Sequence, residues 1–313
     1  MKEMHMSGIK ATNAAVTSDT TDVLHHIGLV HNNLNQSAEC YEKLGFTLTP
    51  LSTPRIVLEP GGAPETLGVA NRHAIFTNNY LELLGIADAE RWASLSKEKR
   101  GPYDLDAALD RYEGLHVMHF GTQHIGAVKE RLDYQGVLCS DVKTFQRNVQ
   151  TENGERMMKA KTISFPSNFN PEGLLQIAQH DTPELVFQPQ YMSHPNGAIA
   201  LTEILMVTDT PAIYATKYEL YTGHKGKEIA NNHYVVDLGF SSIIIVDPER
   251  LDNIIPYYKI PVLPFMAAFT IMVASLRLLC EVLTENNVPF TKMAGDVIVY
   301  PEHAGGCAVV FEE

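Results

Sequence analysis

The side chains best suited to chemistry fall on a few short apolar runs. Leu24-His25-His26-Ile27-Gly28-Leu29-Val30 sets two imidazoles side by side, and Tyr80-Leu81-Glu82-Leu83-Leu84 sets a carboxylate between two leucines. A carboxylate there is costly to bury unless it is paired, solvated or coordinated. An imidazole and a carboxylate are the usual parts of a general acid–base pair. Asn71 and His73, just upstream, would line the same mouth, although Asn71 reads more simply as a turn residue. His116 and His119 lie three apart, so in a strand they face opposite ways, and His119 is the candidate for a pocket unless a bulge intervenes. Gln176, Ala178 and His180 share a face by alternation; His180 either meets a ligand or steadies the Asp181-Thr182-Pro183 turn. Each histidine also has a plainer reading, a strand imidazole satisfied by a nearby carbonyl. No Gly-x-Ser-x-Gly nucleophile, Walker loop or dinucleotide fingerprint occurs, so no nucleotide cofactor is expected.

Strands must hold these groups, and the pattern supplies them. Residues 24–30 alternate as a strand does. Leu34, Ala38, Tyr41 and Leu44 fall at helical spacing, and Gly45 then stops the helix. Residues 46–50, 72–76 and 80–84 read as three further strands, with a turn at 77–79. The order strand, helix, strand, strand, strand then recurs. A second module has a strand at 114–120, a helix at 124–134, Gly136-Val137 in the place of Gly45-Phe46, and strands at 161–165 and 174–178. A third has a strand at 198–207, a helix near 211–221 capped by Gly223, and strands at 233–238 and 242–246. After a Pro-punctuated linker at 247–264, a fourth has a strand at 265–272, a helix at 275–286 and strands at 297–300 and 307–311. A period of roughly 60–90 residues exceeds that of solenoid repeats and suggests duplicated half-domains. One module cannot bury both its sheet face and its helix stripe, so two must pair, enclosing a cleft between curved sheets. The expectation is an α+β protein with a flexible tail at 1–22, one domain at 23–180, a linker at 181–197 and a second domain at 198–313.

The bulk properties narrow the function. With 313 residues, 45% of them hydrophobic, the chain can bury a sizeable core. A formal net charge of -13 repels phosphate backbones, so no nucleic-acid partner is expected. The only dense basic stretch, Lys97-Glu98-Lys99-Arg100, reads as a solvated loop. No export signal is evident in the Thr- and Ala-rich start, and the most apolar stretch, 260–279, is broken by Pro261, Pro264 and Arg277, so no membrane partner is expected. Cys40, Cys139, Cys280 and Cys307 form no CxxC pair and read as free thiols in a reducing cytoplasm.

The strand His25-His26-Ile27-Gly28-Leu29, with its helix ending in Leu44-Gly45-Phe46, resembles the opening of a vicinal oxygen chelate (VOC) module. Gly68-Val69-Ala70-Asn71 before Tyr80-Leu81-Glu82-Leu83-Leu84-Gly85 is similar to the glyoxalase-like subgroup, as is the stretch 175–186 with His194-Pro195-Asn196-Gly197-Ala198. The resemblance is specific from Val23 to Val207 and beyond that rests on module order. It implies tandem βαβββ modules paired into two glyoxalase/dihydroxybiphenyl-dioxygenase-like domains. It also implies a small-molecule site that many relatives build around a divalent metal, with ligands on the first and fourth strands of each module. Carried over, His26 and Glu82 are the metal or acid–base pair, with Asn71, His73, His119, Gln176 and His180 binding substrate. Zinc, manganese, iron, nickel or cobalt would suit imidazole and carboxylate. Counting back from Gly136 puts Val117 at the module-two position of His26, leaves His119 at another depth, and sets Gln176 at that of Glu82. Glu203 and Ala268 hold the corresponding places in modules three and four, so no metal is expected there. The implied function is an isomerase, lyase or dioxygenase acting on a small oxygenated metabolite. The alternative is a metal-free protein of the drug-resistance type that sequesters a small molecule. A homodimer is kept open as an assembly.

Overall fold

The computed structural model describes residues 19–58, 61–100 and 104–313. Strand β1 (Val23–His31) leads into helix α1 (Leu34–Lys43). The Asn33 side chain caps that helix by accepting from the Gln36 amide. Leu34, Ala38 and Tyr41 make its buried stripe, as their spacing predicts. Gly45 ends it at φ 87°, a left-handed conformation that glycine takes without strain. Phe46 N then donates to Tyr41 O at 3.1 Å. The same closure joins Val137 N to Leu132 O (2.9 Å) after Gly136, and Val288 N to Leu283 O (2.8 Å), where Asn287 takes the left-handed position instead of glycine. The repeat is therefore written in the helix ends as well as in the order of elements.

Module one continues with a small hairpin, β2 (Arg55–Val57) and β3 (Pro64–Thr66), then β4 (Val69–Ile75) and β5 (Tyr80–Ile86). Residues 46–50, expected as a strand, are irregular. Thr49 ties this stretch to β4, its amide donating to His73 O (2.9 Å), its Oγ1 accepting from His73 N (2.9 Å) and its carbonyl accepting from Arg72 Nε (2.9 Å), and an isolated bridge joins Ser52 to Asn71. Pro50 and Pro54 lack the donors that a continuous ladder would use. Helices α2 (Ala89–Ser94), α3 (Lys97–Arg100) and α4 (Asp106–Leu109) precede module two, so Lys97 to Arg100 is a helical turn and not a plain loop. Module two comprises β6 (Gly114–Gly121), α5 (Ile125–Tyr134), β7 (Lys143–Thr151), β8 (Gly154–Ser164) and β9 (Leu174–His180). The seven long strands form one mixed sheet in the order β4-β5-β1-β6-β9-β8-β7. At its centre β1 and β6 run antiparallel, each flanked by a parallel partner, β5 and β9.

The second half repeats this plan. Its elements are β10 (Ala198–Val207), α6 (Pro211–Thr222), β11 (Gly226–Ala230), β12 (His233–Asp237), β13 (Ser242–Val246), α7 (Pro248–Ile254), β14 (Phe265–Val273), α8 (Leu276–Glu285), β15 (Thr291–Met293), β16 (Asp296–Val299) and β17 (Ala308–Glu312). They build a sheet ordered β11-β12-β13-β10-β14-β17-β16-β15. The molecule is thus α+β, with two half-barrel sheets of paired modules.

A single core joins the helix-covered faces. Ile27, Leu29, Met118 and Phe120 from the first sheet share it with Ile204, Met206, Phe269 and Ile271 from the second, and with Tyr41, Leu132, Tyr218 and Leu283 from the helices. The opposite faces differ. In the second sheet Leu205, Val207, Ile244 and Val310 are covered by Leu251, Ile255, Tyr258 and Leu263. Residues 247–264, expected as a plain linker, therefore contain α7 and fill this cleft. In the first sheet Trp92, Leu95 and Leu105 cover only the end marked by Val30, Val69 and Leu84.

The segment between the sheets is anchored on module one: His194 Nε2 lies 2.9 Å from Ile75 O, and Asn196 Nδ2 donates to Leu44 O at 2.9 Å. Of the expected tail, residues 1–18 lie outside the described residues. Residues 19–22 are packed: buried Thr21 donates its amide to Thr222 O (3.0 Å), and Arg131 Nε donates to Asp19 O (2.7 Å). Among the described residues no helix is long and apolar enough to cross a membrane.

Candidate functional site

The part of the first sheet's cleft face that Trp92, Leu95 and Leu105 do not cover carries the chemistry. Strand β1 pairs Leu24 with Phe120 but His26 with His119, so His25 is an extra, bulged residue. A bulge upsets the two-residue alternation, and both His25 and His26 turn to the cleft while Leu24 and Ile27 face the core. The Nδ1 atoms of His25 and His26 lie 2.8 Å apart. The ring of His26 stands 4.1 Å from that of His119 and stacks on Tyr80 at 4.5 Å, and the His25 ring lies 4.4 Å from that of His180. A second bulge in β6, at His116, turns that imidazole onto Tyr112 instead. His116 Nε2 lies 2.8 Å from Tyr112 O, and the rings are 4.1 Å apart.

Glu82 projects into the same space, because Leu81 and Leu83 on either side face the core. Its Oε2 is 3.8 Å from His26 Nε2, and its Oε1 is 3.8 Å from His73 Nε2. Asn71 is a β4 residue and not a turn residue, and its Nδ2 donates to Glu82 Oε1 at 2.7 Å. Gly68, at φ 86°, makes the turn before it. Gly28 leaves room above the carboxylate: a Cβ there would lie 3.4 Å from Glu82 Oε2. Gln176 is level with His119 in the β6–β9 ladder and half-buried, and His180 ends the same strand.

The structure therefore gathers His26, His73, Asn71, Glu82, His119, Gln176 and His180 on one face. The ladder sets His119 level with His26 and pairs Val117 with Gly28, so His119 lies at the same depth as His26, contrary to the count from Gly136. In the second sheet Glu203 is likewise level with Thr270, not Ala268. Sequence reasoning missed His25, because the bulge leaves no mark on a two-residue pattern. It also missed Tyr80, whose pairing opposite His26 follows only from the parallel β1–β5 ladder.

Burial sets the charge states. It pushes His25 and His26 well below the ordinary histidine value, with neighbouring imidazoles adding to the effect, and takes His119 and His180 down to about 4. Burial alone would raise Glu82. His73, His119 and the Asn71 amide outweigh it and hold the carboxyl below its usual range. At neutral pH His25, His26, His119 and His180 are thus neutral, beside the Glu82 carboxylate. Both ring nitrogens of His119 are buried with no hydrogen-bond partner, an arrangement that costs about 1–3 kcal/mol per group unless a ligand relieves it. By donor type and by this orphaned ring, the residues fit a divalent metal. As they stand, no three His, Cys, Asp or Glu side chains among the described residues converge on a point at bonding distance.

Half-barrel sheets of paired βαβββ modules, with donor side chains on their inner strands, define a VOC-type protein. The sequence matches the glyoxalase-like domain family over residues 24–222, well over half of the chain, and the protein belongs to that family. No curated protein matches it. Among solved structures, a hypothetical protein from Staphylococcus aureus superposes with a TM-score of 0.61 at 12% identity, covering 92% of this chain and 98% of that one. A Mn(II)-bound glyoxalase from Novosphingobium aromaticivorans gives 0.50 at 9% identity, covering 93% and 82%. Homoprotocatechuate 2,3-dioxygenase from Arthrobacter globiformis gives 0.50 at 12% identity, covering 96% and 82%. At these identities the likeness is one of fold.

Proposed function

We propose that the first-sheet cleft is the active site of a metal-assisted enzyme acting on two neighbouring oxygens of a small metabolite, in the isomerase, lyase or dioxygenase range. The carrying observation is the juxtaposition of His26, His119 and Glu82, two imidazoles and a carboxylate on adjacent strands, with the His119 ring unpartnered. These three would hold the metal, and three protein donors leave positions open for substrate. When bound, such a metal polarises the substrate oxygens it chelates. The chain's own residues supply the rest. Depressed basicity keeps these imidazoles neutral, so that each has one ring nitrogen with a lone pair to donate. Asn71 fixes one carboxylate oxygen of Glu82, leaving the other toward His26. His73, beside Glu82, is placed to pass a proton to or from it. Tyr80 and His180 wall the cleft with flat surfaces for a planar substrate. The four unpaired cysteines fit a cytoplasmic location.

The test is calorimetric titration of metal-stripped protein with Fe(II), Mn(II) and Zn(II). One equivalent should bind to wild type, and His26→Ala, His119→Ala and Glu82→Gln should each weaken it at least roughly tenfold. Stoichiometric binding untouched by all three changes refutes the site. A wild type that binds a vicinal diol but no metal supports the metal-free sequestering reading instead.

A further inference from the structure

The β7–β8 ribbon adds a group that the sequence did not single out. Strand β7 is the sheet's edge and pairs only with β8. The β8–β9 ladder covers only Ala160 to Ser164, so the rest of the ribbon extends past β9, backed by Leu185 and Val186 against Val149 and Met158. Arg147 projects from this ribbon, and its Nη1 donates to Ser52 Oγ at 3.0 Å. Ser52 is bridged to Asn71, whose amide holds Glu82, so the guanidinium stands on the rim of the same cleft. Its charge is felt by His180 and Tyr80 on the cleft wall.

This guanidinium is under-used. Arg72, Arg91 and Arg100 each rest on a carboxylate. Among the described residues none pairs with Arg147, and its Nε is shut from solvent without a partner. A guanidinium carries five donors in a fork that matches a carboxylate. Glu82 would repel an anionic group at the His26 end of the cleft. An anionic group is therefore favoured beside Arg147 on the rim, where its charge also reaches the flat rings of Tyr80 and His180.

We infer that Arg147 is an anion anchor on the cleft rim that selects a small planar substrate bearing a carboxylate. This rests on the cleft being a small-molecule site. The probes are 3,4-dihydroxybenzoate and 3,4-dihydroxybenzamide, matched in shape and paired oxygens and differing in charge. In calorimetry at neutral pH, wild type should bind the acid roughly ten- to a hundredfold more tightly, the range for hydrogen bonds to a charged group. Arg147→Ala should abolish that preference by weakening the acid alone, and Arg147→Lys should keep part of it. The amide is the internal control, since a variant that has lost its fold loses both. Equal binding of the two probes, unchanged in Arg147→Ala, overturns the anchor while leaving the cleft reading intact. Failure of wild type to bind either probe counts against the cleft reading and the anchor together.

Discussion

The Nδ1 atoms of His25 and His26 face each other at 2.8 Å, so one must carry a proton and the other must be bare. If His26 donates, its Nε2 is left as a lone pair toward Glu82, the state a metal ligand needs. His25 then acts as the acceptor that fixes the tautomer. His25→Phe keeps a ring against Tyr80 and His180 but removes that acceptor. The expected result is metal affinity lower by roughly ten- to a hundredfold with the fold retained. Titration of the variant beside wild type checks this, and an unchanged affinity would show that His25 does not orient His26.

Gly28 is the second lever. A Cβ at this position would stand 2.8 Å from Val117 Cβ, across the ladder, and 3.4 Å from Glu82 Oε2. Backbone-bound atoms cannot swing away, so the central β1–β6 pair must shift. Gly28→Ala should cost about 1–3 kcal/mol, the usual range for overpacking, read as a lower urea midpoint. A Gly28→Ala protein of unaltered midpoint and metal affinity would mean that the sheet yields here without strain.

Much of this architecture is legible in the sequence, and the losses have physical reasons. Gly45, Gly136 and Gly223 mark helix ends because each takes the left-handed conformation that closes its helix. Glu82 announces itself because a carboxylate between two buried leucines needs a reason. The level pairing of His26 with His119 is not legible, since it depends on two bulges, and bulges do not alter composition. Arg147 is missed because the β7 ribbon is polar on nearly every residue and gives no alternation. Residues 247–264 look like a linker because Pro248, Pro256, Pro261 and Pro264 punctuate them, yet Leu251 and Ile255 pack as a plug on the second sheet.

Acid should destabilise the protein through its cleft. Unfolded, His119 and His180 take up protons near pH 6.5; folded, burial holds them off until about 4. His116, packed on Tyr112, is also held to about 4. Between those values the unfolded state binds more protons, so stability falls as pH falls, by about 1.4 kcal/mol per unit for each such group at most. Urea midpoints at pH 7, 5.5 and 4.5 should decline, and His119→Gln should flatten the slope. A slope identical in the variant would show that His119 is solvated well enough to titrate normally.

Glu203 works in the opposite direction. Burial, with Glu312 and Asp296 nearby, raises it to about 7, and the hydrogen bond from Thr270 Oγ1 at 3.3 Å only partly offsets this. The folded state therefore holds a proton that the unfolded chain releases near pH 4.5. Between pH 4.5 and 7 the folded state binds more protons, so this group removes stability as pH rises, and the loss is complete above 7. Glu203→Gln supplies a neutral group of the same shape at every pH. It should raise stability at pH 8 by roughly 1–3 kcal/mol, the value of a shift of that size after some relaxation, and change it little at pH 5. Because the second cleft is filled by Leu251, Ile255 and Tyr258, the substitution should leave metal binding in the first cleft untouched. Urea unfolding of wild type and variant at the two pH values decides the matter. A variant less stable than wild type at pH 8 would mean that the Glu203 carboxylate is ionised and favourably paired in the folded protein.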